Sequence, residues 1–247
     1  MDPILYNAAG GGRANFSRQE IIANNLANAA TPGFRTDLYQ AQTMYAQAAG
    51  SNSSGNSFVV QNTNSFDLSG GDLITTGRNL DIAINGNGWL AVRDSTGKEA
   101  YTKTGSLHVD ANGQLVTASG KAVIGNGGPI SIPPAQSIDI GTDGTISIVP
   151  LGDTAQSPAV VDRVKMVSLP KDNIVKNADG LFQLKTGGVA PFDSNIRLIS
   201  GALEGSNVQP VEQMVAMITA GRDFETHMNL MSTVSDNSQK LAQILHD

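Results

Sequence analysis

The sequence predicts an α+β protein in which long N- and C-terminal helices pack as a coiled-coil-like pair, with a central antiparallel all-β domain inserted between them. Two observations predict this fold class. Apolar or small residues recur every three or four positions near both ends of the 247-residue chain. The middle changes to short apolar stretches separated by Asn-Gly and Asp-Gly turns, which are typical of antiparallel strands. The two helical ends are therefore the natural partners for each other.

Composition excludes several classes of protein. The net charge is −6 without any basic run, so binding to nucleic acid through a phosphate-tracking patch is not expected. There is no cysteine, which excludes disulfides and thiolate metal sites and suits a protein working outside the reducing cytoplasm. Residues 1–12 lack a basic segment followed by an apolar one, so no cleavable Sec-type signal is expected. No stretch approaches the roughly 18 apolar residues of a membrane span.

The N-terminal segment, residues 1–35, is predicted to be a helix with a weak heptad seam. The seam positions are Leu5, Ala8, Gly12, Asn15, Gln19, Ile22, Leu26 and Ala29. Three consecutive glycines, residues 10–12, each cost about 1 kcal/mol relative to alanine in a helix. This helix therefore needs a partner surface, which its small residues would allow to approach closely. Thr31-Pro32-Gly33 is expected to end it.

Residues 36–75 are predicted to form a linker or extended arm. Between Phe34 and Ala48 the pattern is mixed, and it fits either a second short helix or an extended arm. Residues 49–56, rich in Gly, Ser and Asn, indicate a flexible linker or loop tip.

The central β domain is predicted to cover residues 76–204. Apolar stretches at 80–84, 89–92, 107–109, 114–116, 122–124 and 145–149 are separated by Gly-containing turns at intervals of about ten residues. Further strand candidates lie at 160–169 and 180–184.

The C-terminal segment, residues 205–247, is predicted to be a second helix. Pro210 is a start signal, and a helix from there to about Leu245 would be roughly 54 Å long. Its predicted apolar stripe consists of Met214, Ile218, Gly221, Phe224, Met228, Met231, Val234, Leu241 and Leu245. A stripe of this length needs an equally long partner, in this chain or in a neighbouring copy.

Candidate catalytic and ligand sites are weak. Gly86-Asn87-Gly88 is followed by another apolar strand and lacks the third glycine of a dinucleotide fingerprint, so a hairpin turn is the better interpretation. His108, His227 and His246 have no metal-site spacing. We therefore expect no enzyme activity, no cofactor, no metal and no small-molecule substrate.

Three amides in the first helix are more specific. Asn24 and Asn28 share a helix face, and Asn25 lies beside them. Amides buried at a helix interface can fix its register, whereas amides on an exposed face would have no such role. The spacing alone leaves both interpretations open.

Three blocks of sequence are similar to the family of flagellar basal-body rod and hook proteins. The N-terminal block is Ala23-Asn24-Asn25-Leu26-Ala27-Asn28 with Thr31-Pro32-Gly33-Phe34-Arg35. The central block includes Gly71-Asp72-Leu73, Thr76-Gly77, Leu80-Asp81, Gly88-Trp89 and Gly113-Gln114-Leu115-Val116-Thr117. The C-terminal block includes Glu204, Ser206-Asn207-Val208 and Arg222-Asp223-Phe224-Glu225. The blocks occur in the family's order. Within the family, chain length and the run from Phe224 to Met231 favour a proximal rod subunit, with a distal rod subunit as the alternative.

The resemblance implies a structural subunit that self-assembles through its terminal helices into a tubular drive shaft transmitting torque. It implies type III export without cleavage, a place in the rod across the periplasm, and partners that are other copies and neighbouring rod proteins. The expected assembly contacts are Ile22, Leu26, Met214, Ile218, Phe224 and Met228. The expected register and motif residues are Asn24, Asn25, Asn28, Gly33 and Phe34. A hypothesis from another class is a secreted β-domain enzyme or adhesin with helical ends for trimerisation.

Overall fold

The computed structural model describes residues 3–46, 56–152 and 157–244. The chain divides into two compact units, each assembled from separate stretches of sequence. The first comprises Met1–Ala29, Thr36–Asp67 and Val208–Asp247, and the second comprises Ala30–Arg35 and Leu68–Asn207. The predicted division into four segments, with boundaries after residues 35, 75 and 204, stays a prediction.

The first unit contains two helices and a long hairpin. Helix α1 spans Pro3–Ala27, strands β1 and β2 span Asp37–Ala46 and Asn56–Phe66, and helix α2 spans Pro210–Ile244. The strands are antiparallel, with a register irregularity between Leu38 and Gln40. Helix α2 begins at the proline expected to start it, because proline fits the first helical turn. Neither helix in the described part of the chain has the length and apolar character needed to span a membrane.

The two helices run antiparallel where they touch. Asn25 near the end of α1 lies by Gln213 near the start of α2, with Asn25 Nδ2 and Gln213 Oε1 3.5 Å apart. At the other end of the contact, Gly11 lies so close to the His227 ring that a Cβ on Gly11 would come 2.8 Å from its Cε1 atom. Between these points Arg18 and Asp223 form an ion pair at 3.6 Å. Helix α1 also contacts β1 and β2.

The second unit consists of short strands in several small sheets. The strands are β3 (Leu73–Thr75), β4 (Ile82–Ile84), β5 (Gly88–Arg93), β6 (Glu99–Thr102), β7 (Leu107–Val109), β8 (Leu115–Thr117), β9 (Ala135–Ile140), β10 (Thr145–Pro150), β11 (Ala159–Arg163), β12 (Met166–Ser168), β13 (Ile174–Lys176), β14 (Phe182–Leu184), β15 (Leu198–Ser200) and β16 (Ala202–Glu204). A five-stranded sheet has the order β12-β5-β6-β14-β13, and a three-stranded sheet has the order β11-β10-β9. The remaining strands pair as β15-β4, β16-β3 and β7-β8, and all the pairings between these strands are antiparallel.

The core of the second unit is aliphatic. Its fully enclosed side chains come from most of the small sheets and include Ile82, Leu90, Leu107, Leu115, Ile130, Ile146, Met166 and Leu198. Aromatic residues contribute at few points: the ring centroids of Trp89 and Phe182 are 4.6 Å apart, and the Ala190 N–H donates to the Tyr101 hydroxyl at 2.6 Å. This agrees with an aromatic content of only 5%.

The predicted coiled-coil-like pair of helices is wrong. The residues of α1 that contact α2 include Gly11, Arg18 and Asn25, each one position before a predicted seam residue. A seam containing glycine and amides has too little apolar volume to direct knobs-into-holes packing. The hairpin also occupies part of the α1 surface, so this helix is shared between two partners. The predicted α+β class, with one helix near each end and β structure between, agrees in part with the structure.

Several strands follow the sequence prediction and others do not. Strands lie within or across the predicted stretches at 80–84, 89–92, 107–109, 114–116 and 145–149, whereas residues 122–124 form isolated bridges. The mixed segment after Phe34 forms β1, so the interpretation as a second helix is wrong. The linker or extended arm at 36–75 stays a prediction. Strand β2 had no counterpart in the prediction. The predicted flexible stretch at 49–56 lies outside the described residues except for Asn56, where β2 begins.

Candidate assembly surface and boundary motif

The two apolar residues predicted as assembly contacts on α1 are not fully accessible in the subunit. Ile22 is buried and Leu26 is half-buried. Both therefore contribute to packing within the first unit.

The three amides of α1 have different environments. Asn25 is buried and forms two hydrogen bonds with the backbone of Asp37, at the start of β1. Asn28 donates from its side chain to the Asn24 carbonyl at 2.9 Å, next to the last turn of the helix. The Asn24 side chain is exposed. Of the two interpretations left open by the spacing, a buried amide describes Asn25 and an exposed amide describes Asn24. Asn28 bonds to the backbone of its own helix end.

Helix α2 carries an exposed apolar strip, which we define as Val211, Met214, Val215 and Ile218. Their exposure ranges from 52% for Met214 to 74% for Val211. They occupy positions i, i+3, i+4 and i+7, so they share one face of the helix. Ala220 is fully buried, and the two-residue step from Ile218 to Ala220 is about 200° around an α-helix. The strip therefore faces away from the side of α2 that carries Ala220.

The other predicted contacts on α2 differ in exposure. Phe224 is half-buried, whereas Met228 is 49% exposed. Val215 is absent from the predicted contacts, although its spacing of four residues from Val211 and three from Ile218 was a sufficient signal.

The boundary motif, residues 31–35, belongs to the second unit. Gly33 has φ +73°, and a Cβ at this position would overlap the backbone of Lys103 and Thr104. Only glycine combines this left-handed conformation with such a close approach. The Gly33 N–H donates to the Glu204 carbonyl at 2.7 Å, and the Thr104 hydroxyl donates to the Pro32 carbonyl at 3.1 Å.

The aromatic residue of the boundary motif has a cationic neighbour. The Lys176 Nζ atom lies 4.4 Å from the centroid of the Phe34 ring, within the range of a cation–π interaction. The Phe34 carbonyl also accepts a long hydrogen bond, 3.4 Å, from the Asn207 N–H.

A buried ionic cluster lies beside Gly33. Arg35, Lys103 and Glu204 are 1%, 4% and 6% exposed. Arg35 forms an ion pair with Glu204 Oε1, and Lys103 Nζ lies 3.5 Å from Glu204 Oε2. Burial lowers the pKa of Lys103 and neighbouring Arg35 lowers it further, while Glu204 opposes the shift. Lys103 also donates to the Gly86 carbonyl at 2.6 Å. No local pattern in the sequence pointed to Lys103.

Known families match three stretches of the chain. Residues 5–35 match the model of the flagella basal body rod protein, and residues 83–148 match the flagellar hook protein FlgE/F/G D1 domain. Residues 199–244 match the flagellar basal body rod FlgEFG protein C-terminal model.

Full-length relatives agree with these matches. The flagellar basal-body rod protein FlgF of Salmonella typhimurium is 39% identical over 99% of this chain and 99% of its own. The chain belongs to the family of flagellar basal-body rod proteins. FlgF of Escherichia coli K12 is also 39% identical with the same coverage, and FlgG of Bacillus subtilis 168 is 32% identical over 97% of this chain and 98% of its own. The resemblance drawn from the sequence is confirmed.

The stretches matched by the family models include the residues that form the strip on α2 and the boundary motif. The match at 5–35 includes most of α1 and the boundary motif, and the match at 199–244 includes Glu204 and all of α2. This rod protein is therefore a structural component of the flagellar basal body, and its relatives are named flagellar basal-body rod proteins. Among the residues that the structure describes, no cluster of His, Asp or Glu could hold a metal ion.

Proposed function

We propose that this rod protein assembles with other copies of itself through its terminal helices, forming a tubular drive shaft that transmits torque for motility. A proximal, FlgF-like position is favoured because FlgF proteins reach 39% identity to this chain, in Salmonella typhimurium and Escherichia coli K12, whereas FlgG of Bacillus subtilis 168 is 32% identical. A distal, FlgG-like position is the alternative. Its role is mechanical and involves no catalysis.

The exposed strip on α2 is the observation that carries this proposal. Four large apolar side chains on one helix face are more than the scattered exposure found on most protein surfaces. Such a face is expected to be covered by a partner, because burying apolar area contributes about 25 cal/mol per Å². Within a rod, the partner would be a neighbouring subunit.

The proposed assembly contacts divide into two groups. Met214, Ile218 and Met228 face a neighbouring subunit directly, since they are about half exposed or more. Ile22, Leu26 and Phe224 act from within the first unit, by holding the helices that present this surface.

The motif residues have a second role in the proposal. Asn24 and Asn28 set the register with a neighbour, and Asn25 fixes the hairpin. Gly33 and Phe34 hold the boundary motif in place.

Partners and location follow from the same proposal. The subunit contacts other copies of itself and neighbouring rod proteins, and it has no nucleic-acid, membrane or small-molecule partner. It reaches the rod, in the periplasmic space, through the flagellar type III export apparatus.

Substitution within the strip tests the proposal. We expect Ile218→Asp to abolish rod assembly and swimming in a strain that lacks its own copy of the gene, because the carboxylate would be buried unpaired between subunits. The matched control is Leu230→Asp, which makes the same kind of substitution at a residue that is 49% exposed but lies about 120° around α2 from Ile218, outside the strip. Circular dichroism of the purified variants checks that both fold.

A second variant extends the test to α1. Leu26→Asp is expected to leave the second unit folded and to prevent assembly. Normal swimming in both the Ile218→Asp and Leu26→Asp strains would refute assembly through the helices.

A further inference from the structure

One carboxylate connects the segments at which the chain passes into and out of the second unit. Glu204 Oε1 accepts from Arg35 and from the Gly71 N–H, the latter at 3.3 Å, while the Glu204 carbonyl accepts from Gly33. Just after Glu204, the Gly205 N–H donates to the Asp72 carbonyl at 2.8 Å. Three segments, residues 33–35, 71–73 and 204–205, are thus joined around Glu204.

These three segments have a particular place in the chain. The second unit consists of Ala30–Arg35 and Leu68–Asn207, so all four passages of the backbone between units lie at the ends of these two stretches. Residues 33–35 lie beside two of the passages, residues 71–73 lie close to the third, and Glu204 is three residues before Asn207, the last residue of the unit. Tension in the backbone at these points reaches the contacts of Glu204, at the end of β16, before it reaches the five-stranded and three-stranded sheets.

The contacts of Glu204 resist opening because its charge is buried. Arg35 and Lys103 are also buried, so separating either from Glu204 leaves uncompensated charges away from water. Hydrogen bonds between ionised groups are roughly twice as strong as those between neutral groups. Glycines at positions 33 and 71 allow the approach, since a Cβ at Gly71 would overlap the Gly205 carbonyl.

We propose that Arg35, Lys103 and Glu204 form a clasp. It holds together the segments next to the backbone passages of the second unit and carries mechanical load between this unit and the rest of the subunit. The clasp acts as a positioning device, holding the segments 33–35, 71–73 and 204–205 together under tension. Its role in motility rests on the proposed function in the rod, whereas its mechanical strength can be measured on the isolated protein.

Single-molecule pulling of the full chain by its two ends tests the clasp. Glu204→Gln removes the central charge, and Glu99→Gln is the control because Glu99 forms a partly buried ion pair with Lys165, at 2.8 Å, elsewhere in the same unit. We expect Glu204→Gln to lower the rupture force of the second unit more than Glu99→Gln does. Hydrogen exchange at the Gly33 and Gly71 amides should become faster on the order of 100-fold, while the Ala91 amide stays protected.

A second variant covers the case in which Glu204→Gln does not fold. Glu204→Asp keeps the charge but is one methylene shorter, so it cannot reach Arg35, Lys103 and Gly71 together. It should fold and show the same loss of rupture force to a smaller extent. An equal rupture force in wild type and Glu204→Asp, or a loss no greater than that of Glu99→Gln, would overturn the proposal.

Swimming under viscous load tests the role in the rod. Cells carrying Glu204→Gln or Glu204→Asp should lose more speed as viscosity rises than cells carrying Glu99→Gln, and equal losses would also overturn the proposal. If the wild-type chain does not restore swimming to the strain lacking its gene, the proposed function fails. In that case the pulling experiment still tests the mechanical strength of the clasp, independently of any role in the rod.

Discussion

The side-chain amide of Asn25 forms two hydrogen bonds with the backbone of Asp37. Asn25 Nδ2 donates to the Asp37 carbonyl at 2.9 Å, and the Asp37 N–H donates to Asn25 Oδ1 at 2.9 Å. The amide thereby satisfies both backbone groups of the first residue of β1, as a neighbouring strand would. This pair fixes the start of the hairpin to the end of α1, across the boundary motif that separates them in sequence.

Replacing Asn25 should loosen the hairpin. Asn25→Ala leaves the Asp37 N–H and carbonyl without these partners in a partly buried site, and we expect a loss of about 1–3 kcal/mol in the free energy of unfolding. Asn24→Ala removes the neighbouring exposed amide and should change this free energy by less than about 0.5 kcal/mol. Urea unfolding followed by circular dichroism measures both. Equal losses in the two variants would show that the Asn25 pair does not stabilise the unit.

The glycine run in α1 should respond unevenly to alanine. A Cβ on Gly10 meets no atom within 4 Å, so Gly10→Ala should stabilise the helix by about 0.5–1 kcal/mol. A Cβ on Gly11 would lie 2.8 Å from Cε1 of His227, so Gly11→Ala must displace that ring from α1. We expect the gain in helix propensity to be lost there. Thermal unfolding monitored by helical circular dichroism compares the two, and a similar rise in Tm for both would contradict the close contact between Gly11 and His227.

Features determined by local chemistry could be predicted from the sequence. Helix α2 begins at Pro210 because proline is favoured in the first helical turn and disfavoured in helix interiors. The glycines of the predicted turns at Gly113 and Gly144 have positive φ and join the paired strands β7–β8 and β9–β10, as hairpin turns with Asn-Gly or Asp-Gly require. Gly86 also has positive φ, but β4 and β5 on either side of it lie in different sheets, so the predicted hairpin there is wrong.

Features determined by long-range packing could not be predicted from the sequence. The side of α1 that contacts α2 is displaced by one residue from the predicted seam, because small and polar residues lie on both candidate faces and no apolar preference decides between them. The Arg35–Glu204 pair joins residues 169 positions apart. Both residues belong to blocks similar to the rod family, yet only the folded chain shows that they meet. Lys103 completes the cluster without any local signal.

Gly33 should tolerate substitution less well than another glycine with the same backbone conformation. Gly33→Ala adds a Cβ that overlaps the backbone of Lys103 and Thr104, in addition to the cost of about 1–2 kcal/mol for a left-handed non-glycine residue. Gly97 has φ +83° with open space around it, so Gly97→Ala incurs the conformational cost alone. The midpoint of urea unfolding of the second unit should therefore fall further for Gly33→Ala. If the two midpoints fell equally, close packing at Gly33 would not contribute to stability.

Asp94 should make the second unit sensitive to acid. Burial raises the pKa of its carboxyl group, but hydrogen bonds from Thr96, Lys98 and Gln183 together outweigh this effect and hold the pKa below 3.8. Because the pKa is lower in the folded state than in the unfolded state, the ionised carboxylate stabilises the fold above about pH 4. This stabilisation is lost as the pH falls through the folded-state pKa.

Asp94→Asn separates this effect from other acid sensitivity. At pH 7 the free energy of unfolding of the variant should be lower by about 1–3 kcal/mol. Both oxygens of the Asp94 carboxylate accept hydrogen bonds, and the amide replaces one of them with an NH₂ group, which cannot accept. The difference from wild type should shrink when urea unfolding is repeated below pH 4. Asp110→Asn is the control, since Asp110 accepts from Asn112 and Gln114 at 2.9 and 2.7 Å in a more exposed turn and should cost less at pH 7. A difference between wild type and Asp94→Asn that stays constant as the pH falls would mean that the charge of Asp94 does not contribute to stability.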